Sequence, residues 1–193
     1  LAIENEYIMS PKDLCTLPFL DKVLDAGVKI LKIEGRGRSP EYTKVTVGVY
    51  SEAVKAIQNG EFTEEKIAQW TERLRSVYNR DFWDGYYLGR KMGEWTQRYG
   101  SQATKTKIFV GTVTNFFAKI NVAEIRMETQ DLKVGDDIMI IGPTTGVYED
   151  KVSEIRVDLK PVESTEKGEL CSIPVKDVIR RGDKVYKVID AES

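Results

Sequence analysis

The feature that most constrains this chain is a change of periodicity near residue 104. Before it, apolar residues recur at steps of three or four, the spacing of amphipathic helices. After it, short apolar runs alternate with Gly/Asp turns, the spacing of strands. A helical pattern does not settle as a strand, so the break predicts an α/β part followed by a β part. With 41% hydrophobic and 31% charged residues, the chain can bury a core and need not be disordered. Its 193 residues suit one large or two small domains, at roughly 150 residues per domain.

Within the first part, Ser10-Pro11-Lys12-Asp13 predicts a helix start, with Ser as N-cap and Pro at the first helical position. Pro18 restarts that helix; Phe19, Leu20, Val23 and Leu24 share one face, and Gly27 stops it. Val28 to Ile33 predicts a buried strand, followed by the loop Glu34-Gly35-Arg36-Gly37-Arg38. Ser39-Pro40 opens a helix through Tyr42, Val45, Val49, Ala53 and Ile57, which Asn59-Gly60 ends. Thr63-Glu64-Glu65 opens another through Ile67, Trp70, Leu74 and Tyr78. Helix, strand, Gly-rich loop, helix is the order found in an α/β barrel or a doubly wound sheet. Residues 79–104 form an aromatic-rich linker in which Phe82, Trp83, Tyr86, Tyr87, Trp95 and Tyr99 can pack one element on another or stack bases. Strands are expected at 107–114, 122–128, 138–141, near 147–157, at 169–173 and at 184–189, a spacing that predicts a small closed barrel.

The chain has no His, so neither a Ser-His-Asp nor a Cys-His nucleophile can be assembled from it, nor an HExxH zinc site. General acid–base work falls to Asp, Glu, Lys, Tyr or Cys. Two cysteines, Cys15 and Cys171, cannot form a disulfide framework or a four-thiolate site alone. Net charge is −2, with 15 basic and 15 acidic side chains in residues 1–104 and 14 and 16 in 105–193, so neither part is a basic module. No apolar run approaches the roughly 20 residues of a membrane helix and no signal peptide opens the chain. A soluble protein of the reducing cytoplasm is expected, and the start at Leu1 in mid-pattern suggests a piece of a longer chain.

Among candidate site residues, Glu34, Arg36 and Arg38 stand out, because they directly follow a predicted strand and barrel sites lie at the C-terminal ends of strands. Glycine admits a ligand close to the backbone, and arginine can clamp a carboxylate or phosphate bidentately. The bland alternative is a solvated turn. Cys15 is either a reactive thiol near a helix N-terminus or a small core residue. Cys171 reads as strand core.

Tyr7-Ile8-Met9-Ser10-Pro11-Lys12-Asp13-Leu14-Cys15, Ala26-Gly27-Val28 running into Lys32-Ile33-Glu34-Gly35-Arg36, and Ser39-Pro40-Glu41-Tyr42 together resemble peptidase family U32, the collagenase-like proteases. Asn79-Arg80-Asp81-Phe82 with Gly85-Tyr86 resembles the family's asparagine-arginine-glycine-phenylalanine stretch, with Asp81 in the place of Gly. The resemblance implies that residues 1–78 are the last strand–helix units of a TIM-like (β/α) barrel with a helical extension. It also implies that 105–193 are a β-barrel similar to the second domain of elongation factors, and that the N-terminal half of the same polypeptide is missing. On this reading Glu34 and Arg36 are catalytic, Glu34 orienting or deprotonating a substrate group and Arg36 clamping an anionic one, and Arg38 and Arg80 are substrate-binding; the resemblance implies Cys15 as the fourth ligand of a [4Fe–4S] cluster whose other three cysteines lie upstream. No cluster is expected on this chain alone. The implied reactions are amide hydrolysis, with collagen as substrate, or hydroxylation of a tRNA uridine or of the ubiquinone ring, with tRNA or protein as partner. In the competing reading, 105–193 is a non-catalytic RNA- or protein-binding module on a scaffold.

Overall fold

The computed structural model describes residues 11–89, 94–96 and 100–191, and the chain divides into two compact units, Leu1–Thr104 and Lys105–Ser193. Tyr7 to Ser10 and Tyr99 lie outside the described residues. No helix among those described is long and apolar enough to cross a membrane.

The helix expected to start at Ser10-Pro11 does not do so. Instead β1, Asp13–Leu14, pairs in parallel with β2, Phe82–Trp83. The Asp13 and Cys15 amides donate to the carbonyls of Asp81 and Trp83 at 2.8 and 2.9 Å, so the strand pairing takes the donors a helix would have used. Helical order begins with a 3-10 turn at Leu17–Phe19, with Pro18 in its first turn, and continues as α1, Leu20–Asp25. Gly27, at φ +91°, then turns the chain out of the helix.

Val28 to Ile33 is a second correction, because it forms no strand and Ile30 is 86% exposed. A strand exists only through hydrogen bonds to a neighbour, and among the described residues none lies beside this segment. The strand–helix unit expected there is therefore represented by its helix alone. That helix, α2, spans Pro40–Gln58, with Ser39 extended before it and Pro40 in its first turn. Helix α3 spans Glu64–Arg75, and its N-cap Thr63 accepts a hydrogen bond from the Lys66 amide at 3.3 Å. The helices share a core of Leu17, Leu20, Val49, Ala53, Trp70 and Leu74. Residues 79–104 belong to the same unit, through β2 and through the Gln102 and Thr104 amides, which donate to the carbonyls of Asn79 and Arg75.

In the second unit every strand is antiparallel to its neighbours. These are β3 (Lys105–Phe117), β4 (Val122–Met127), β5 (Asp137–Gly142), β6 (Gly146–Lys151), β7 (Ile155–Val157), β8 (Lys160–Val162), β9 (Leu170–Pro174) and β10 (Lys184–Asp190). They form one sheet in the order β6-β5-β10-β3-β4-β9-β7-β8. Alternation sends Val110, Ile125, Ile140, Ile155, Ile173 and Val185 to one shared core. The two ends of the sheet are stitched by residues 132–135: Gly135 N–H donates to Val152 C=O, and Val134 N–H to Glu163 C=O. The expected run at 147–157 is divided into β6 and β7, and β8 pairs with β7 as the edge opposite β6.

Candidate functional site

Pairing of β1 with β2 brings the Asp13 carboxylate to the start of the Arg80-Asp81 segment. Asp13 Oδ2 accepts from the Arg80 amide at 3.0 Å, and Oδ1 lies 3.5 Å from Arg80 Nη2. Arg38, delivered by the loop before α2, donates from Nη2 to Asp13 Oδ1 at 2.8 Å. Its guanidinium also lies over the rings of Tyr78, at 4.3 Å, and Tyr42, at 5.2 Å. The Arg38 and Asp13 side chains are only 13% and 17% exposed, whereas Arg80 is 34% exposed. Arg80 Nε is buried without a hydrogen-bond partner. Two guanidinium groups thus share one carboxylate, and the cluster carries net positive charge.

Beside it, Lys12 Nζ lies 3.0 Å from both Asp81 and Glu94. Asp81 occupies the position where the resembled motif has Gly, and it adopts φ +65°, with its amide donating to Asn79 Oδ1 at 3.0 Å. Burial pushes its carboxyl upward, but the Phe82 amide and Lys12 outweigh that and hold it below its ordinary value.

Glu34 and Arg36 stand apart from this cluster, exposed on the loop. Glu34 Oε1 accepts from the Arg36 amide at 2.7 Å, closing a local turn. Of the loop's three candidates, the structure brings Arg38 alone to Arg80. Asp13, Tyr42 and Tyr78 were missed as site residues. Asp13 lies within the Lys-Asp-Leu-Cys segment, but nothing in the sequence says which cations it meets.

Cys15 is 7% exposed, with Sγ 3.9 Å from Tyr50 Oη, and Tyr50 Oη accepts from the Thr16 amide at 3.1 Å. Burial pushes the Cys15 thiol above its ordinary value and raises Tyr50 as well. Burial likewise pushes the Cys171 thiol to about 12. A raised pKa leaves little thiolate near pH 8, and burial blocks approach. Ellman's reagent at pH 8 is therefore expected to find no reactive thiol in the folded chain and two after denaturation. Fast labelling of Cys15 in the native state would contradict this picture.

A cavity of about 40 Å³ adjoins the thiol, lined by Asp13, Cys15, Tyr42, Thr46, Tyr50 and Tyr78 among others, and the buried Thr46 hydroxyl there has no partner. At roughly 10–15 Å³ per water such a space holds a few waters. The residues present do not by themselves fit an iron–sulfur cluster: one thiol faces too small a space, and the described residues contain no group of three or more His, Cys, Asp or Glu able to hold a metal.

Residues 2–97 match the model of peptidase family U32. A collagenase of Porphyromonas gingivalis is 54% identical over 97% of this chain and 45% of its own length. An uncharacterised protease of Methanocaldococcus jannaschii is 35% identical over 96% of this chain and 46% of its own. The tRNA hydroxylation protein P1 of Bacillus subtilis is 32% identical over 71% of this chain and 32% of its own. The chain thus spans about half the length of the first two.

Proposed function

The chain belongs to peptidase family U32, and we propose that it supplies the anion-binding wall of a cytoplasmic U32 enzyme that hydroxylates tRNA. The observation that carries this reading is the Asp13 carboxylate fixing Arg38 and Arg80 side by side, with Arg80 the more open of the two. A guanidinium fork matches phosphate, and a positioned one loses little freedom on binding. Arg80 is the contact residue and Arg38, locked between two tyrosines, sets its field. Glu34 orients or deprotonates a substrate group that reaches the exposed loop, and Arg36 offers a second clamp there. Val28 to Ile33 reads as a strand of a (β/α) barrel whose neighbours lie in sequence outside this chain. Cys15 can be a cluster ligand only if three further thiolates come from outside the chain, and no step here runs through such a group.

A second reading, peptide hydrolysis, is favoured by the 54% identity to a protein named collagenase. This chain offers that reaction neither a His-activated nucleophile nor an accessible thiol, because it has no His and both of its thiols are buried. The arginines would then hold a peptide carboxylate.

The test uses the full-length protein containing this chain. Arg80→Ala is expected to lower kcat/KM for tRNA uridine hydroxylation about tenfold or more, mainly through KM, with partial rescue by Arg80→Lys. Gelatin cleavage with no activity on tRNA would transfer the site to the second reading. Iron and acid-labile sulfide that disappear in Cys15→Ala would establish the ligand role, and their absence from the parent protein would end it.

A further inference from the structure

Among the described residues of the first unit, Asn79 is the most buried polar one, at 2% exposure. It lies in the connection between α3 and β2, and both ends of its side-chain amide are engaged. Nδ2 donates to the carbonyls of Val77 at 2.9 Å and Arg75 at 3.3 Å, and Oδ1 accepts from the Asp81 amide at 3.0 Å. Two carbonyls on one side and an N–H on the other fix which end of the amide is which. The Asn79 carbonyl also accepts from the Gln102 amide at 2.7 Å. Asn79 is thus tied to the end of α3 on one side and steers the following turn on the other.

That turn presents Arg80. The bond from the Asp81 amide to Asn79 Oδ1 closes residues 79–81 into a tight bend, in which Asp81 takes φ +65°. Residues with a side chain seldom adopt this left-handed backbone, although aspartate tolerates it better than most. The penalty and the net worth of one hydrogen bond are similar in size, so the Asn79 bond decides which conformation the turn prefers. In the bend, Arg80 and Asp81 meet Asp13 in both directions. The Arg80 amide donates to Asp13 Oδ2 at 3.0 Å, and the Asp13 amide donates to the Asp81 carbonyl at 2.8 Å. This exchange adjoins the Asp13–Phe82 pair of β1 and β2 and locks one register. The Arg80 guanidinium, 3.5 Å from Asp13 Oδ1, stands where the bend puts it. An extended Asp81 would break the exchange and release Arg80.

We propose that Asn79 is the positioning residue of the Arg80 anion contact: sealed from the substrate itself, it fixes the backbone from which the guanidinium reaches. The inference rests on the proposed function, in which Arg80 meets a substrate phosphate. A guanidinium already in place gives up little freedom on binding, whereas a released one must be ordered at the expense of affinity. The effect therefore falls on KM and not on the chemical step. Arg38 lies off this path, because a different loop delivers it and Tyr42 and Tyr78 hold it.

The experiment is a double-mutant cycle in the full-length protein containing this chain. It reads KM and kcat for tRNA uridine hydroxylation, with urea midpoints as the check on folding. Asn79→Ala is expected to raise KM about five- to tenfold with kcat within about twofold. In the Arg80→Ala background the same substitution is expected to change KM by less than about twofold, because its route to the substrate is gone. Asn79→Ser keeps an acceptor for the Asp81 amide, so it is expected to recover part of the loss, and it carries the test if Asn79→Ala does not fold. Equal KM changes in both backgrounds, or a fall in kcat at unchanged KM, would reduce Asn79 to a fold element and overturn the proposal. So would wild-type KM in Asn79→Ala where Arg80→Ala raises it. Wild-type KM in Arg80→Ala would overturn the proposed function, and this inference with it.

Discussion

Gly111→Ala is expected to destabilise the second unit by about 3 kcal/mol or more, a large share of the roughly 5–15 kcal/mol that holds a domain folded. Gly111 lies in β3, opposite Met127 in β4 and Val185 in β10. A Cβ on it would sit 2.1 Å from the Arg126 carbonyl oxygen and 3.0 Å from the Arg126 carbonyl carbon. Those are backbone atoms of the neighbouring strand, so no side-chain rotation relieves the overlap. β3 and β4 must separate, and both strands feed the same core. Gly146→Ala is the control: it has open space around it and φ +71°, so only the left-handed backbone penalty applies, about 1 kcal/mol. Urea unfolding of both variants checks the contrast. A Gly111→Ala loss no larger than that of Gly146→Ala would show that the strands can yield.

Asp13→Ala is expected to cost the first unit about 3 kcal/mol, the scale for removing one partner from a mostly buried ion pair. The loss has three parts. Arg38 keeps its place between Tyr42 and Tyr78 but has no counter-charge, Arg80 gains an uncompensated neighbour, and the Arg80 amide loses its acceptor. Asp13→Asn retains an acceptor oxygen without the charge, so it should fall between wild type and Ala. Under the proposed function, Asp13→Ala in the full-length protein should also raise KM for an anionic substrate, because the guanidinium of Arg80 is no longer fixed. Denaturation curves in which Asp13→Ala and Asp13→Asn both lose less than about 1 kcal/mol would reduce the cluster to a surface arrangement.

How much of this was legible in the chain depends on the range of the interaction. Thr63 before Glu64-Glu65, Pro40 after Ser39 and Asn59-Gly60 at the end of α2 are local signals, and the helices begin and end beside them. The apolar runs and Gly/Asp turns from residue 105 onward predicted short strands closing into a small barrel; the strands form one eight-stranded antiparallel sheet, and burial alternates in β4 but not in β5, where Ile138, Met139 and Ile140 are all buried. Ser10-Pro11 misled for the opposite reason. A capping signal is a local preference of about 1 kcal/mol, and parallel pairing with a segment some seventy residues away overrode it. Val28 to Ile33 has the composition of a strand, but strand formation also needs a neighbour, which composition does not supply.

The candidate site divides in the same way. Arg38, Arg80 and Cys15 were visible as residue types in informative settings. Glu34 and Arg36 face solvent while Arg38 turns inward to Asp13, on a turn that two local hydrogen bonds close, Arg36 N–H to Glu34 Oε1 and Arg38 N–H to Gly35 C=O, which no residue count reveals. By itself the sequence determined the two-part architecture, the helix limits set by caps and glycines, and the absence of histidine chemistry, because each is a property of neighbouring residues or of composition. Only the tertiary structure decided that one carboxylate holds two arginines and that Cys15 is sealed against Tyr50. Those facts depend on contacts between residues far apart in the chain, and packing alone brings them together.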